Sequence, residues 1–331
     1  MSNIVISTRV RLARNLKDYP FPCRISQQGR ECVNDKVKMA IKNSNSAIAN
    51  DFSYIKISEL NPTQAVSLVE KRLVSPEFIS DTTGRALLLY KDETISIMLN
   101  EEDHIRIQVI TQGLSLEEAY DIADKLDTLL DENLDFAFDE KLGYLTQCPT
   151  NLGTGMRASV MLHLPALEKS HAISRIADNL AKLGLTIRGA YGEGTEPDGA
   201  LYQLSNQVTL GISEKSAIEN LKNITLQLIA QENQARERLC KSIDIQDTIS
   251  RSLGLLKSAL VMTHKEALKL LSNVRLGIES GQIPDISSEK IDELMLAVEP
   301  ATLTENSKRT LTPQERDIER AKILRTEISK A

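Results

Sequence analysis

A cysteine, two glycines and an arginine lie close together in a turn between two apolar runs. The stretch from Tyr144 to Leu164 contains them in the order Cys148, Gly153, Gly155 and Arg157. Glycine permits positive backbone angles and close approach of a ligand, and arginine supplies a permanent, forked cation. This setting favours an exposed thiol beside a bound anion, as in an active site. The alternative is a cysteine that fills the core, as isolated cysteines commonly do.

Arginines alternate with other residues near the N-terminus, in the run Ser7-Thr8-Arg9-Val10-Arg11-Leu12-Ala13-Arg14-Asn15. In a β-strand, Arg9 and Arg11 would point to the same face. Two guanidinium groups side by side can clamp a phosphate chain. A solvated strand face is the alternative for this run taken alone.

A second charged cluster follows an apolar run, in the order Asn100-Glu101-Glu102-Asp103-His104-Ile105-Arg106. Paired carboxylates can grip a guanidinium, or take part in proton transfer if one of them has a raised pKa. An ordinary surface turn is the alternative. His104 is expected to be a structural hydrogen-bonding residue, since no second histidine lies at metal-ligand spacing.

A glycine-rich run, Arg188-Gly189-Ala190-Tyr191-Gly192-Glu193-Gly194, follows the apolar segment that starts at Leu185. It is not a Walker loop, because the chain has no Gly-Lys-Ser/Thr ending. Arg188 and Glu193 could close over a phosphate and a guanidinium. An ordinary flexible loop is the alternative.

The elements that must position these clusters follow from the apolar spacing. Strands are predicted at Ala86–Tyr90, Ile95–Leu99, Ile105–Ile110, Ser159–Leu164, Leu185–Arg188 and Leu201–Asn206. Helices are predicted at Leu116–Leu130, Ser213–Cys240, Gln246–Leu256, His264–Asn273, Ser288–Val298 and Pro313–Ile328. The polar stretch Thr302–Thr310 predicts a solvated loop. This is an α+β pattern, with one domain over residues 1–240 and a separate helical domain over residues 241–331.

Composition limits the classes of function. With 331 residues, 41% hydrophobic and 26% charged, the chain can bury at least one large core, and its length suggests two domains. A net charge of −6 argues against a nucleic-acid partner held by bulk charge, and no apolar run is long enough to cross a bilayer. The four cysteines form no C-x-x-C pair, which argues against disulfides and zinc. We predict a cytoplasmic protein without a signal peptide.

Four motifs in order resemble the guanidino kinases, the ATP:guanido phosphotransferase (phosphagen kinase) family that includes arginine and creatine kinase. They occupy residues 7–15, 100–107, 148–160 and 188–193, and the resemblance covers residues 4–235. The run Leu-Gly-Thr-Gly-Met-Arg-Ala-Ser-Val-Met-Leu-His-Leu-Pro-Ala-Leu and the helical extension are more similar to the branch that phosphorylates arginine side chains within proteins. The resemblance implies an antiparallel sheet flanked by helices, like that of glutamine synthetase, followed by a small all-helical domain.

The resemblance also implies roles for individual residues. Glu102 and Glu193 would orient the substrate guanidinium, and one of them would accept its proton. Cys148, as a thiolate, would contact a guanidinium nitrogen without forming a covalent phosphoenzyme. Mg²⁺ would bridge the ATP phosphates and be held mainly by nucleotide and water. The residues implied to bind ATP are Ser7, Thr8, Arg9, Val10, Arg11, Arg72, Arg106, Arg157, Ala158, Ser159, Val160, Met161, Arg188, Gly189, Ala190, Tyr191, Gly192 and Glu193.

Two positions depart from the family pattern. Arg72 stands where the family usually has the histidine of a Val-Glu-Lys-His segment that helps to bind nucleotide. Tyr191 replaces the second arginine of the glycine loop, as in the protein-directed branch. The chain also starts almost at the first motif, without the helical N-terminal domain that phosphagen kinases close over a small substrate. An open site for a protein side chain is therefore expected.

The C-terminal run Arg316-Asp317-Ile318-Glu319-Arg320-Ala321 matches the Arg-Asp-x-x-Arg-Ala motif by which that branch binds phosphoarginine for allosteric control. Residues 312–315, Thr-Pro-Gln-Glu, predict a capping box with proline at the first helical position. Arg316 and Arg320 would then lie one turn apart on one helix face. Asp317 would hold a guanidinium while an arginine takes the phosphate. An ordinary charged helix is the alternative.

The resemblance implies partners as well. These are proteins with accessible arginines, stress-gene repressors among them, a second copy in a homodimer, an activator protein and a Clp ATPase. Two other functions compete: phosphorylation of free arginine, and an inactive adaptor that binds phosphoarginine. The missing N-terminal domain argues against the first alternative, and the presence of Cys148, Glu102 and Glu193 argues against the second.

Overall fold

The computed structural model describes residues 4–44, 46, 48–189 and 198–330. The strands in these residues are β1 (Val5–Arg14), β2 (Phe52–Lys56), β3 (Ala86–Tyr90), β4 (Ile95–Leu99), β5 (Ile105–Gln112), β6 (Phe138–Asp139), β7 (Gly143–Tyr144), β8 (Met156–His163), β9 (Leu185–Gly189) and β10 (Leu201–Asn206). The α-helices are α1 (Gln27–Lys42), α2 (Pro62–Glu70), α3 (Pro76–Ser80), α4 (Leu116–Asp131), α5 (Pro165–Lys169), α6 (Ile173–Lys182), α7 (Glu214–Leu239), α8 (Ile243–Ser258), α9 (His264–Glu279), α10 (Ser288–Ala297), α11 (Pro300–Asn306) and α12 (Pro313–Lys330).

The chain divides into two compact units. The sheet unit comprises residues 7–160 and 205–222. The helical unit comprises the described residues among 1–6, 161–204 and 223–331. The domain boundary predicted from the sequence, between residues 1–240 and 241–331, stays a prediction.

In the sheet unit the strands are hydrogen bonded in the order β2-β3-β4-β5-β1-β8, followed by the last residues of β10. The pairs from β2 through β1 are antiparallel. Every residue of β4 is buried, as expected for an interior strand covered on both faces. Helix α4 packs on β5, and α1 packs on α4. The predicted antiparallel sheet flanked by helices is confirmed.

The register of β1 and β5 decides which charged side chains share a face. Arg11 lies opposite Gln108, and Ala13 lies opposite Arg106. Directly opposed residues point to the same face of an antiparallel pair, and alternate residues of one strand do so as well. Arg9, Arg11 and Arg106 therefore project from one face of the sheet.

The helical unit contains β9 next to β10, with α6 packed on β9, and the helices of the C-terminal region. Helices α8, α9, α10 and α12 bury one apolar cluster, and Leu271, Val274 and Leu324 within it have no solvent-exposed surface. The predicted helical C-terminal region is confirmed. Among the described residues, no helix is both long enough and apolar enough to span a bilayer.

A buried polar network lies in the helical unit around His163. Its Nε2 is 2.8 Å from Ser272 Oγ, and its Nδ1 faces guanidinium nitrogens of Arg236 at 3.3 Å and Arg275 at 3.4 Å. Because guanidinium groups only donate, Nδ1 is the acceptor and Nε2 carries the proton. The pKa of His163 lies well below 6.5, because burial disfavours the charged ring and both arginines repel a proton.

This neutral histidine predicts a pH dependence of stability. An unfolded histidine takes up a proton as the pH falls through about 6.5, whereas folded His163 does not, so the unfolded state binds more protons there. The free energy of unfolding should therefore fall between about pH 7 and pH 5, and should fall less in His163→Gln. Urea titrations at several pH values measure both slopes. If the free energy of unfolding changed equally with pH in the two proteins, His163 would not contribute to the pH dependence of stability.

The strands and helices predicted from the sequence are present, one predicted loop was wrong, and β2 and the helices α1, α2, α3, α5 and α6 were not predicted. Strands β3, β4 and β10 have the predicted bounds. The stretch Thr302–Thr310, expected to be a solvated loop, instead contains the end of α11, which buries Thr302 and Leu303. Pro300 starts this helix, and Thr304 Oγ1 donates to the Pro300 carbonyl at 2.7 Å. A threonine whose hydroxyl donates to a carbonyl of the preceding turn can be buried in a helix although its side chain is polar.

Candidate active site

Four arginines from three neighbouring strands form a cluster on one face of the sheet unit. Arg9 and Arg11 come from β1, Arg106 from β5 and Arg157 from β8. The Nε of Arg9 lies 3.5 Å from Ser159 Oγ on β8. The Nε atom of Arg11 is buried and has no hydrogen-bond partner among the described residues. The structure thus brings together arginines that are far apart in the sequence.

Burial and mutual repulsion lower the pKa values of two arginines in this cluster. The pKa of Arg9 is lowered to about 10, chiefly by burial and then by the charges of Arg72, Arg157 and Arg106. Burial also lowers the pKa of Arg11 well below 12.5, with the repulsion of Arg9 as the next cause. Cations held together in a poorly solvated place favour a polyanion between them. The cluster is therefore suited to bind a chain of phosphates.

Arg72 joins the cluster from the segment after α2. Its backbone is in the left-handed region, with φ +62°, and its carbonyl accepts a hydrogen bond from Gln108 Nε2 at 2.9 Å. Gln108 is on β5 and shares the face of Arg106. The residue that replaces the family histidine thus places a further positive charge near Arg9.

The paired glutamates after β4 have different surroundings. Arg106 bonds both, with Nη1 at 2.5 Å from Glu101 Oε2 and Nη2 at 2.9 Å from Glu102 Oε2. The Glu101 side chain is only 5% exposed and also accepts a hydrogen bond from Ser75 Oγ. The Glu102 side chain is 37% exposed. Glu102 is therefore the one of the pair that can meet an incoming guanidinium, and Glu101 fixes Arg106.

The cysteine turn lies directly beside Glu102. Cys148 is half-buried, with its Sγ 3.0 Å from Thr150 Oγ1. The Cys148 carbonyl accepts hydrogen bonds from Thr146 Oγ1 at 2.8 Å and from the Asn151 amide at 3.0 Å. Asn151 Nδ2 lies 3.3 Å from Glu102 Oε2. Cys148 is thus not a buried core residue, and Asn151 connects its turn to the Glu102 carboxylate.

Close backbone contacts explain the glycines of this turn. Gly153 has φ +108°, and a Cβ there would lie 2.3 Å from the Thr209 carbonyl oxygen. A Cβ at Gly155, which has φ +62°, would lie 2.7 Å from the Ala13 carbonyl oxygen. The Gly153 carbonyl also accepts a hydrogen bond from the Tyr144 amide at 2.8 Å. Only glycine permits this approach, which seats the turn on β1 and on the segment after β10.

Gly153→Ala should therefore lower the free energy of unfolding by about 1–3 kcal/mol and reduce catalysis, because both the backbone angle and the contact with Thr209 become strained. Gly211→Ala is the matched control: Gly211 also has a positive φ, +79°, but an added Cβ there meets open space. Urea unfolding measures both variants. An equal loss in the two would mean that the backbone angle alone matters and the close contact does not.

The other residues expected to bind ATP are distributed as follows. Ser7 and Ser159 share the face of the arginine cluster, whereas Thr8, Val10, Ala158 and Val160 are buried on the other face. Met161 belongs to the apolar core of the helical unit. Arg188 and Gly189 end β9 in the helical unit. The expected contributions of Ala190, Tyr191, Gly192 and Glu193 concern residues that lie outside the described part of the chain.

The structural role predicted for His104 is confirmed. The ring is fully buried, its Nδ1 accepts a hydrogen bond from the Leu16 amide at 3.0 Å, and its Nε2 is 2.9 Å from the Pro20 carbonyl oxygen. The proton is therefore on Nε2. Burial lowers the pKa of this histidine. In the described ranges, no group of three or more His, Cys, Asp or Glu side chains is placed to hold a metal ion.

The C-terminal motif lies on α12 of the helical unit. The predicted capping box is present, with the Glu315 amide bonded to Thr312 Oγ1 at 3.3 Å and the Thr312 amide to Glu315 Oε2 at 2.8 Å. The Arg320 side chain is only 2% exposed, and it donates to two backbone carbonyls and to Asp317 Oδ1. Ala321 is buried too, whereas Arg316 is half-buried. Arg320 therefore links helices, and phosphoarginine binding by this motif remains a prediction.

Sequence reasoning did not single out every residue of the site. The sequence indicated Asn151 only as part of a turn, because its contact with Glu102 joins residues that are distant in the sequence. Asp103 and Gln147, which bond each other beneath the site, were likewise unassigned. The only signal in the sequence was their position next to Glu102 and Cys148.

Comparisons with known proteins agree with this geometry. Residues 32–235 match the family model of the ATP:guanido phosphotransferase C-terminal catalytic domain, and residues 242–331 match the protein-arginine kinase McsB C-terminal domain. The protein-arginine kinase of Clostridium acetobutylicum is 48% identical, with 98% of this chain and 96% of that protein aligned. That of Halothermothrix orenii is also 48% identical, with 99% and 93% aligned.

Two solved structures of guanidino kinases share the fold. A lombricine kinase superposes with a TM-score of 0.61 at 26% identity, over 69% of this chain and 66% of that one. A duplicated taurocyamine kinase from Schistosoma mansoni, with bound transition-state analogue components, gives a TM-score of 0.63 at 26% identity, over 80% of this chain and 38% of that one.

Proposed function

This chain belongs to the protein-arginine kinases of the ATP:guanido phosphotransferase family, and we propose that it transfers the γ-phosphate of ATP to arginine side chains of other proteins. One observation carries the proposal. A cluster of arginines on one sheet face lies beside a partly exposed carboxylate, Glu102, and a half-buried thiol, Cys148. The cluster fits the donor polyphosphate, and the carboxylate and thiol fit the acceptor guanidinium.

The arginine cluster binds the phosphates of ATP. Arg9, Arg11, Arg106 and Arg157 supply preorganised donors for charge that spreads over the γ-phosphoryl oxygens as the bond to ADP lengthens. Arg72 adds a further charge, whose contact with the nucleotide is a proposal. Mg²⁺ would enter with ATP and be held chiefly by phosphate oxygens and water, where it would offset phosphate charge.

Glu102 orients the acceptor guanidinium with a bidentate carboxylate contact. A guanidinium nitrogen then attacks the γ-phosphorus in line with the leaving oxygen; the new N–P bond forms as the O–P bond to ADP breaks. The nitrogen loses its proton to a carboxylate, either Glu102 or, by resemblance, Glu193. Cys148 contacts a second guanidinium nitrogen electrostatically, and no covalent enzyme intermediate is needed.

The regulation and partners that we propose are based on resemblance to the family. The C-terminal motif would bind phosphoarginine through Arg316, Asp317, Arg320 and Ala321. The protein would act in the cytoplasm as a homodimer on stress-gene repressors and other proteins with accessible arginines, together with an activator protein and a Clp ATPase. Neither nucleic acid nor a membrane is a direct partner in this proposal.

Incubation with Mg²⁺ and γ-labelled ATP tests the reaction. An arginine-rich acceptor protein and free arginine are offered in separate assays at equal arginine concentration. Acid-labile label should appear on the acceptor protein and be absent from the same acceptor with every arginine changed to lysine. Label on free arginine alone would favour a phosphagen kinase instead. Absence of any transfer would favour the inactive adaptor.

A further inference from the structure

A fully buried carboxylate, Asp103, lies directly beneath the candidate acceptor site. One of its oxygens, Oδ1, accepts two hydrogen bonds, from Asn15 Nδ2 at 2.6 Å and from the Gln147 amide at 2.8 Å. The other oxygen, Oδ2, is buried without a hydrogen-bond partner among the described residues. Burial raises the pKa of this carboxyl, and the two hydrogen bonds and Arg106 oppose that rise.

The two hydrogen bonds join three segments that are distant in the sequence. Asn15 directly follows β1, Asp103 directly follows Glu102, and Gln147 directly precedes Cys148. Asn15 strengthens the junction, because its Oδ1 accepts from the His104 amide at 2.9 Å and its Nδ2 donates to the Leu145 carbonyl at 3.0 Å. The strand that carries the arginines, the loop that carries Glu102 and the turn that carries Cys148 thus meet at one carboxylate.

The cysteine turn is tied to the glutamate loop at two points. The outer tie, from Asn151 Nδ2 to Glu102 Oε2, is 3.3 Å long and involves a partly exposed carboxylate. Such a contact competes with water and with a bound guanidinium. The inner tie, from the Gln147 amide to Asp103, is shorter, at 2.8 Å, and its acceptor carboxylate has no solvent-exposed surface. It can stay in place when an acceptor guanidinium displaces Asn151 from Glu102.

We propose that Asp103 is a positioning residue for phosphate transfer, which holds the Cys148 thiol at a fixed separation from the Glu102 carboxylate while the acceptor arginine binds. This inference rests on the proposed function for its kinetic part. Asp103 does not touch substrate; it acts through Gln147 on one side and through its chain neighbour Glu102 on the other.

The chemistry of the junction separates positioning from a charge effect. Both donors use the single oxygen Oδ1, so an asparagine can offer the same acceptor from its amide oxygen. Alanine removes the acceptor, so the Gln147 amide loses its bond to Asp103, and Asn15 Nδ2, which still donates to the Leu145 carbonyl, loses its bond to Asp103 as well. If Asp103 acts by positioning, Asp103→Asn should retain most of the phosphate-transfer rate that Asp103→Ala loses. Its buried amide adds a donor group, which should reduce the rate modestly.

The test compares Asp103→Ala and Asp103→Asn, with Asp292→Ala as a matched control. Asp292 is another largely buried carboxylate, bonded to Arg275 in the helical unit. Asp103→Ala should lower kcat for an acceptor protein by at least about 30-fold and leave KM for ATP within about threefold, because geometry at the acceptor is lost. Asp103→Asn should keep kcat within about fivefold of that of the unchanged protein. Asp292→Ala should lower stability without lowering kcat selectively while KM for ATP is kept.

A second readout does not depend on activity. The rate of Cys148 alkylation by iodoacetamide, followed for that peptide by mass spectrometry, should rise at least about fivefold in Asp103→Ala, since the half-buried thiol is no longer held. It should be unchanged in Asp103→Asn and in Asp292→Ala. If Asp103→Ala does not fold, Asp103→Ser, whose hydroxyl is too short to reach both donors, replaces it.

Unchanged alkylation and unchanged kcat in the alanine or serine variant would overturn the proposal. Loss of kcat in Asp103→Asn equal to that in alanine, with Cys148 alkylated normally, would overturn it in favour of an electrostatic role. If the unchanged protein transfers no phosphate to arginine, the proposed function fails, while the alkylation rates still decide whether Asp103 positions the turn.

Discussion

Cys148→Ala is expected to reduce phosphate transfer to protein arginine by at least about 100-fold, with ATP affinity within about threefold of the unchanged protein. The thiol lies in the turn that Asn151 connects to Glu102, on the acceptor side of the site. Removing it deprives the guanidinium of one electrostatic contact in the transition state, whereas the arginine cluster that would bind ATP is untouched. Initial rates and calorimetric ATP binding measure the two effects.

Cys23→Ala is the matched control for this prediction. Cys23 is exposed, and its backbone amide, rather than its thiol, donates to Gln147 Oε1 at 3.0 Å. Its thiol should be dispensable for transfer. A fully active Cys148→Ala protein would remove the thiol from the mechanism, and equal losses in both variants would point to a general effect of cysteine removal.

Arg11→Gln is expected to weaken ATP binding at least about tenfold and to lower kcat by about 100-fold or more, without loss of stability. Its guanidinium is buried among Arg9, Arg106 and Arg157, and both burial and their repulsion lower its pKa. Removing one charge therefore relieves repulsion in the folded protein while it removes a donor to the phosphates. Calorimetry with ATP and thermal unfolding without ATP test both halves of the prediction.

Arg14→Gln on the same strand should behave in the opposite way. Arg14 bonds Asp127 at 2.7 Å in the interior and lies against the Tyr144 ring, with its guanidinium carbon 3.4 Å from the ring centroid. Its loss leaves a buried carboxylate unpaired, which costs about 3–5 kcal/mol of folding stability. If Arg11→Gln proved as destabilised as Arg14→Gln, the arginine cluster would have to be regarded as structural.

The sequence was sufficient to predict the elements with the strongest apolar patterns, whereas β2 and the helices α1, α2, α3, α5 and α6 were not predicted. The short apolar runs of β3 and β4 are strong signals because consecutive residues are buried on both faces, and the helical spacing of α4 is a strong signal because it buries one side of the helix. The short helix α11 was missed because two of its buried side chains are threonines, whose composition indicates a loop. Burial there depends on packing, which a local pattern does not record.

The candidate site was predicted in outline for a different reason. Its motifs carry uncommon combinations of charge, glycine and cysteine, so Arg9, Arg11, Glu102 and Cys148 stood out before their positions were known. The difference between Glu101 and Glu102 could not be predicted, because it arises from their unequal burial around Arg106. Long-range contacts decide such roles.

Two further residues show the same limit. Asp103 seemed one acid among three, and its role as a junction follows only from its contacts with Asn15 and Gln147. Arg320 matched a phosphoarginine-binding motif, yet its side chain is buried and donates to the carbonyls of Val298 and Met262. A motif specifies residue types, whereas the fold decides which of their atoms remain available.

The most direct measurement of the central claim is identification of the modified residue. Whole-cell protein is incubated with Mg²⁺-ATP and the purified chain, digested under non-acidic conditions and sequenced by mass spectrometry, with Cys148→Ala and Cys23→Ala in parallel. We expect phosphoarginine on many peptides with the unchanged protein and with Cys23→Ala, and a loss of about 100-fold with Cys148→Ala. Phosphate on serine, threonine or free arginine with none on protein arginine would contradict it.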